Sequence, residues 1–108
     1  MQPVSITYAA STTGAQTPIA MDWRIVPFSL SYDVIKVTGG GTLSATVQTT
    51  LDNVNDSTIT PVWTDVGSAL TATTRGTLTA PVQFIRLTLT TTTGTDVVFK
   101  LLQGESTN

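Results

Sequence analysis

The sequence predicts an all-β fold, an antiparallel β-sandwich or jelly roll of about seven or eight strands. Three observations carry that prediction. No stretch of useful length places apolar residues at the helical spacing of 3.6. Short segments instead alternate apolar and polar residues, with glycine, proline and Asx-rich turns between them. Threonine, a β-branched residue that favours extended backbone, supplies 24 of the 108 residues.

The first strand is read from Val4, Ile6 and Tyr8 alternating with Ser5 and Thr7, after Pro3, whose missing N–H does little harm at a strand start. A polar link follows from Ala10 to Thr17. Residues 18–27 (PIAMDWRIVP) lie between Pro18 and Pro27, which argues against a continuous helix or central strand and for a strap or short edge strand. Phe28, Leu30, Tyr32 and Val34 then share one face and Ser29, Ser31 and Asp33 the other, with the strand running on through Ile35 and Val37. Gly39, Gly40 and Gly41 end it. Leu43, Ala45, Val47, Thr49 and Leu51 follow at period 2, so these two strands are expected to form a long hairpin.

Residues 52–60 (DNVNDSTIT) form the longest turn-rich stretch, and Pro61 leads into a short strand with Val62, Trp63 and Val66. Between residues 67 and 81, Leu70, Ala72, Leu78 and Ala80 alternate weakly around Arg75-Gly76, which reads as a turn joining short exposed pairs. Near the end Ile85, Leu87 and Leu89 oppose Phe84, Arg86 and Thr88. After a turn at Gly94 come Val97, Phe99 and Leu101, expected to pair with the strand before. Val98 and Leu102 put apolar groups on the other face of that last strand, a face expected to be half covered by a sheet, loop or subunit. The expected organisation is one domain over residues 1–108, with 1–26 as an N-terminal arm or strap and 103–108 as a polar tail.

Composition removes several classes of function. There is no cysteine and no histidine, which excludes disulfides and most hydrolase, redox and zinc chemistry. Charged residues make up 11%, against about 25% in typical soluble domains, and the net charge is −2. Arg24, Lys36, Arg75, Arg86 and Lys100 are scattered, so nucleic acid is not an expected partner. No run approaches the ~18 apolar residues of a membrane helix, and the first residues carry no basic, apolar leader, so no membrane or targeting role is expected. The initial Met suggests a product made in a cytoplasm. Threonine hydroxyls leave a surface that a partner can cover without desolvating many charges.

No reaction centre emerges. Lys36 and Lys100 are the only lysines, and each reads as a solvated strand residue whose stem covers apolar surface. The cluster Asp52-Asn53-Val54-Asn55-Asp56 resembles a hard-cation loop. It fails at the third position (Val54), the sixth (Ser57) and the twelfth (Trp63), and Asx-turn capping accounts for it. Asn55-Asp56-Ser57 matches a glycosylation sequon without a secretion context, and residues 39–41 lack the Lys-Ser/Thr of a phosphate loop. No catalytic residue, metal or cofactor is therefore expected. Trp63, between Val62 and Val66, reads as a core plug. Trp23 beside Arg24 can equally be core or contact, because Trp and Arg dominate interface hot spots. Trp23, Arg24, Ile25 and Val26 are the candidate subunit or partner contact.

The succession VPFSLSYDVIKVTG, LSATVQTTLDNVND and TPVWTDVGSALTATTRGTLTAPVQFIRLTLTTTTGTDVVFKLLQG resembles small structural proteins of tailed bacteriophages, in particular capsid decoration, or cement, proteins. The likeness covers about residues 27–104. Its most specific parts are Val47-Gln48 leading to Thr50-Leu51-Asp52, the restart Pro61-Val62-Trp63, and Ala80-Pro81-Val82 before Ile85-Arg86-Leu87. What the resemblance implies is a non-enzymatic β-sandwich on the outer surface of the virion head. It would bind the major capsid protein as a homotrimer and reinforce the shell. A tail-associated accessory protein is a variant of that expectation. A carbohydrate-binding β-sandwich, with aromatics stacked on sugar faces, is the alternative from another class.

Overall fold

A computed structural model describes residues 4–21, 23, 28–37 and 41–104. Among these it holds nine strands and no helix: β1 (Val4–Tyr8), β2 (Gly14–Ala15), β3 (Ile19–Ala20), β4 (Leu30–Lys36), β5 (Ser44–Thr50), β6 (Thr64–Leu70), β7 (Thr74–Leu78), β8 (Phe84–Thr91) and β9 (Val97–Gln103). They form two antiparallel sheets. The first has the order β1-β9-β4-β7; the second has the order β2-β8-β5-β6, with β3 also pairing β8.

Alternation places the core. Leu30, Tyr32 and Val34 of β4 and Val97, Phe99 and Leu101 of β9 point from the first sheet into one buried cluster, where they meet Ala45 and Val47 of β5 and Ile85, Leu87 and Leu89 of β8. Met21, Phe28, Leu43 and Val82 close the ends. The two sheets therefore share one apolar interior in a sandwich-like arrangement, and burial of these side chains is its principal stabilisation. The polar faces of β4 and β8 turn outward, as their sequence period requires.

The pairings differ from the sequence expectation in three places. The strands around residues 30–36 and 44–50 do not form a hairpin: β4 pairs β7 and β9, whereas β5 pairs β6 and β8. Nor do β8 and β9 pair, since each lies in a different sheet. The chain changes sheet at both connections, and Gly41 and Thr42, which lead into β5, pack on the residues between β8 and β9. The Thr42 amide donates to the Thr93 carbonyl at 2.8 Å, and Gly41 lies against Gly94 and Thr95, where a side chain would not fit. A buried Thr92 ties the second connection to the polar link by donating its hydroxyl to the Thr12 carbonyl at 2.8 Å. The third difference is Arg75-Gly76, which forms no turn. It sits mid-strand in β7, where Gly76 faces Tyr32 and leaves the room its ring occupies.

Shorter elements fit their residues. β3 is the edge strand expected within 18–27, and β2 forms inside what reads as a polar link. β6 contains Gly67 at φ +71 where its register against β5 shifts, a bulge that glycine tolerates without strain. The turn-rich stretch is laced by its own side chains: Asn53 Oδ1 accepts from the Asn55 amide at 3.0 Å, and Asp56 Oδ1 from the Thr58 amide at 2.9 Å. The Asp56 carboxyl is held below its ordinary range by the Thr58 hydroxyl and amide. These are the Asx turns expected there.

Candidate functional site

Of the six large apolar side chains exposed among the described residues, Trp23, Leu51 and Val62 gather at one end of the second sheet, whereas Val37 and Leu102 lie with the first sheet and Ile59 in the turn-rich loop. β5 stops at Thr50, so Leu51 leaves the period of its strand and is 71% exposed, as is Val62 at the far side of the turn-rich loop. Hydrogen bonds to residues distant in sequence fix both. Gln83 Nε2 donates to the Leu51 carbonyl at 2.8 Å, and Asp52 Oδ2 accepts from the Val62 amide at 2.8 Å. Leu51 lines two shallow clefts. One, of about 230 Å³, it shares with Trp23 and Pro81; the other, of about 290 Å³, it shares with Val62. The four side chains form a strip.

Trp23, expected to be core or contact, is 48% exposed and belongs to this strip. The other candidate contact residues, Arg24, Ile25 and Val26, lie outside the described residues. Leu51, Val62 and Pro81 are additions that sequence reasoning missed, because Leu51 and Val62 each continue an apolar alternation and read as inward strand positions. One signal was available: Leu51 immediately precedes Asp52-Asn53, residues that bend the chain before another inward position can be reached.

Beside the strip, the outer face of the second sheet carries a fixed polar group. Gln48 of β5 donates from Nε2 to Asp65 Oδ1 at 2.8 Å, while its Oε1 accepts from Arg86 Nε at 2.9 Å and from the Thr88 hydroxyl at 2.8 Å. The Arg86 guanidinium lies 4.0 Å from the centre of the Trp63 ring, a cation–π stack. Burial pulls the Arg86 pKa down. Trp63, expected as a core plug, is half-buried and outside the core cluster. The physical reason is parity: Asp65, in register with outward-facing Gln48, sets Trp63 two residues earlier on the same outer side.

The outer face of the first sheet holds the other charged group. Cross-strand register aligns Ser5, Lys100, Asp33 and Arg75 in one row. Arg75 grips Asp33 with two bonds, Nε to Oδ1 at 2.6 Å and Nη2 to Oδ2 at 3.0 Å. The Arg75 hydrogen bond, aided by the charges of Arg75 and Lys100, holds the Asp33 carboxyl below its ordinary range. Val98 is half-buried on this face and Leu102 is 52% exposed.

No group of three or more metal-ligating side chains converges among the described residues. No family model matches the chain, and no curated protein or solved structure matches it significantly.

Proposed function

We propose that this chain is a non-enzymatic structural protein of a tailed-bacteriophage virion. In this reading it is a decoration, or cement, protein that binds the major capsid protein on the outer head as a homotrimer and stabilises the shell. The observation that carries the reading is the strip of Trp23, Leu51, Pro81 and Val62, large apolar groups exposed together in a threonine-rich surface of low charge. Such a strip gains by being covered, and its neutral surroundings can be covered with little desolvation penalty. Trimerisation turns several weak contacts of this kind into firm attachment.

The strand order supports the finer fold reading, a jelly roll. With β2 and β3 taken as two stretches of one interrupted strand, each sheet has four strands. The orders β1-β9-β4-β7 and β2/β3-β8-β5-β6 then interleave as two Greek keys. The test of function is solution mass followed by binding to empty heads. Light scattering should give about three times the 11.4 kDa chain mass. Trp23→Ala combined with Leu51→Ser should weaken head binding about tenfold or more while leaving the folded state intact. A monomer that ignores heads would overturn the proposal.

A carbohydrate-binding module is the second reading, favoured by one observation: Trp63 stands beside Gln48, Asp65 and Arg86 on an outer sheet face. A change of tryptophan emission on titration with sugars, lost in Trp63→Phe, would establish it over the first.

A further inference from the structure

The edges of the two sheets differ in how they are protected. In the second sheet β2 and β3 are two residues each, and β6 is interrupted by the Gly67 bulge. In the first sheet β7 carries the Arg75 charge and Gly76 at its middle. Short length, bulges, charges and glycine are the usual means of preventing a sheet edge from pairing with another chain. β1 has none of them. Val4–Tyr8 pairs residue for residue with β9, contains no charge, glycine or proline, and has no neighbour on its other side among the described residues.

Two further observations describe what this edge would accept. Toward the interior, Val4 and Tyr8 pack only partly buried against the core, and Ile6 between them is half-buried, so apolar side chains added alongside would complete their burial. On the outer side, Lys100 sits one strand in, with only Ser5 between it and the edge. Both Asp33 oxygens are held by Arg75, and Lys100 donates no hydrogen bond to a described residue. The row thus carries one excess positive charge, at the floor of a depression of about 510 Å³ lined by Ser5, Ser31, Lys100 and Leu102.

The geometry points to β1 as a strand-addition site for an extended segment of a partner protein. That segment alternates apolar and polar residues and places Asp or Glu on the outer side opposite Ser5. Strands lie about 4.8 Å apart, so the position opposite Ser5 is about 10 Å from the Lys100 backbone, within the joint reach of lysine and glutamate side chains. Main-chain bonds supply affinity, the apolar residues cover Val4, Ile6 and Tyr8, and the acid answers Lys100. A second copy of β1 fits less well: antiparallel pairing centred on Ile6 sets Ser5 against Thr7 and leaves Lys100 without a counter-charge. The inference goes beyond the virion reading and does not require it.

The test uses a short synthetic peptide in which valine alternates with threonine and the central outward residue is glutamate, beside the same peptide with glutamine there. Anisotropy of the labelled peptides gives affinity, and amide hydrogen exchange of the full chain gives the location. The glutamate peptide should protect amides within Val4–Tyr8 and bind about two- to fivefold more tightly than the glutamine peptide, a preference lost in Lys100→Gln and at high salt. Lys100 is exposed, so this variant leaves the fold in place. Protection at β6 or β7 instead, equal binding of the two peptides, or no binding would overturn the proposal. So would concentration-dependent self-association that protects β1 without peptide, which would assign the edge to a second copy.

Discussion

Tyr32 and Gly76 face each other across β4 and β7, and neither residue makes sense alone. The ring lies across the glycine, so a Cβ on residue 76 would meet the far end of the Tyr32 ring and its hydroxyl. Gly76→Ala should therefore lower stability by about 1–3 kcal/mol, read as a shifted urea midpoint with unchanged slope. In the background of Tyr32→Leu the same change should be much milder, because the two effects share one contact. A glycine beside an arginine reads as a turn from sequence because turns are where glycine is commonest. Here the requirement is close approach by an aromatic ring, which depends on a strand more than 40 residues away and leaves no local trace.

At the level of elements, most strands were legible and their partners were not. Alternation within 30–36, 44–50, 84–91 and 97–103 fixes which side chains face inward, and the buried cluster follows those faces. It does not say to which sheet a strand belongs. Glycine-containing links after residues 37 and 91 serve a hairpin or a change of sheet equally well, and the local sequence does not record the contact of Gly41 and Thr42 with the residues between β8 and β9. Gly41 carries that packing: a Cβ there would stand 2.6 Å from Thr95 Cβ and 2.8 Å from the Gly94 carbonyl. Backbone cannot swing aside as a side-chain tip can. Gly41→Ala should destabilise by about 1–3 kcal/mol. Gly104→Ala, whose nearest neighbour is Ser29 at 3.7 Å, should leave the thermal midpoint nearly unchanged. The candidate site was legible at Trp23 only. Leu51 and Val62 are exposed because their strands end one residue short of them or begin after them, and element ends are set by tertiary hydrogen bonds such as Asp52 to Val62.

For the molecule as a whole, one interior serves both sheets, so neither can lose its packing independently. Phe99 is fully buried and the largest of the side chains so enclosed. Phe99→Ala should cost about 3–5 kcal/mol, a large part of the 5–15 kcal/mol that holds a typical domain together. Circular dichroism reports on the backbone, and emission from Trp23 and Trp63 reports on the exposed end and the outer face of the second sheet. In both the native chain and the variant their unfolding curves should coincide. Separate transitions would mean that the sheets fold as two units.

The contrast between β1 and the other edges also governs how such a molecule can grow into larger assemblies. A subunit able to add strands at both ends of a sheet behaves as a bifunctional monomer and can propagate a filament. With Gly67 breaking one long edge and Arg75 and Gly76 occupying another, this chain has the valence of a chain terminator. If an extended segment adds at Val4–Tyr8, as proposed, the blocked edge at β7 leaves that sheet no second place to grow among the described residues, and extension by strand addition ends with one partner.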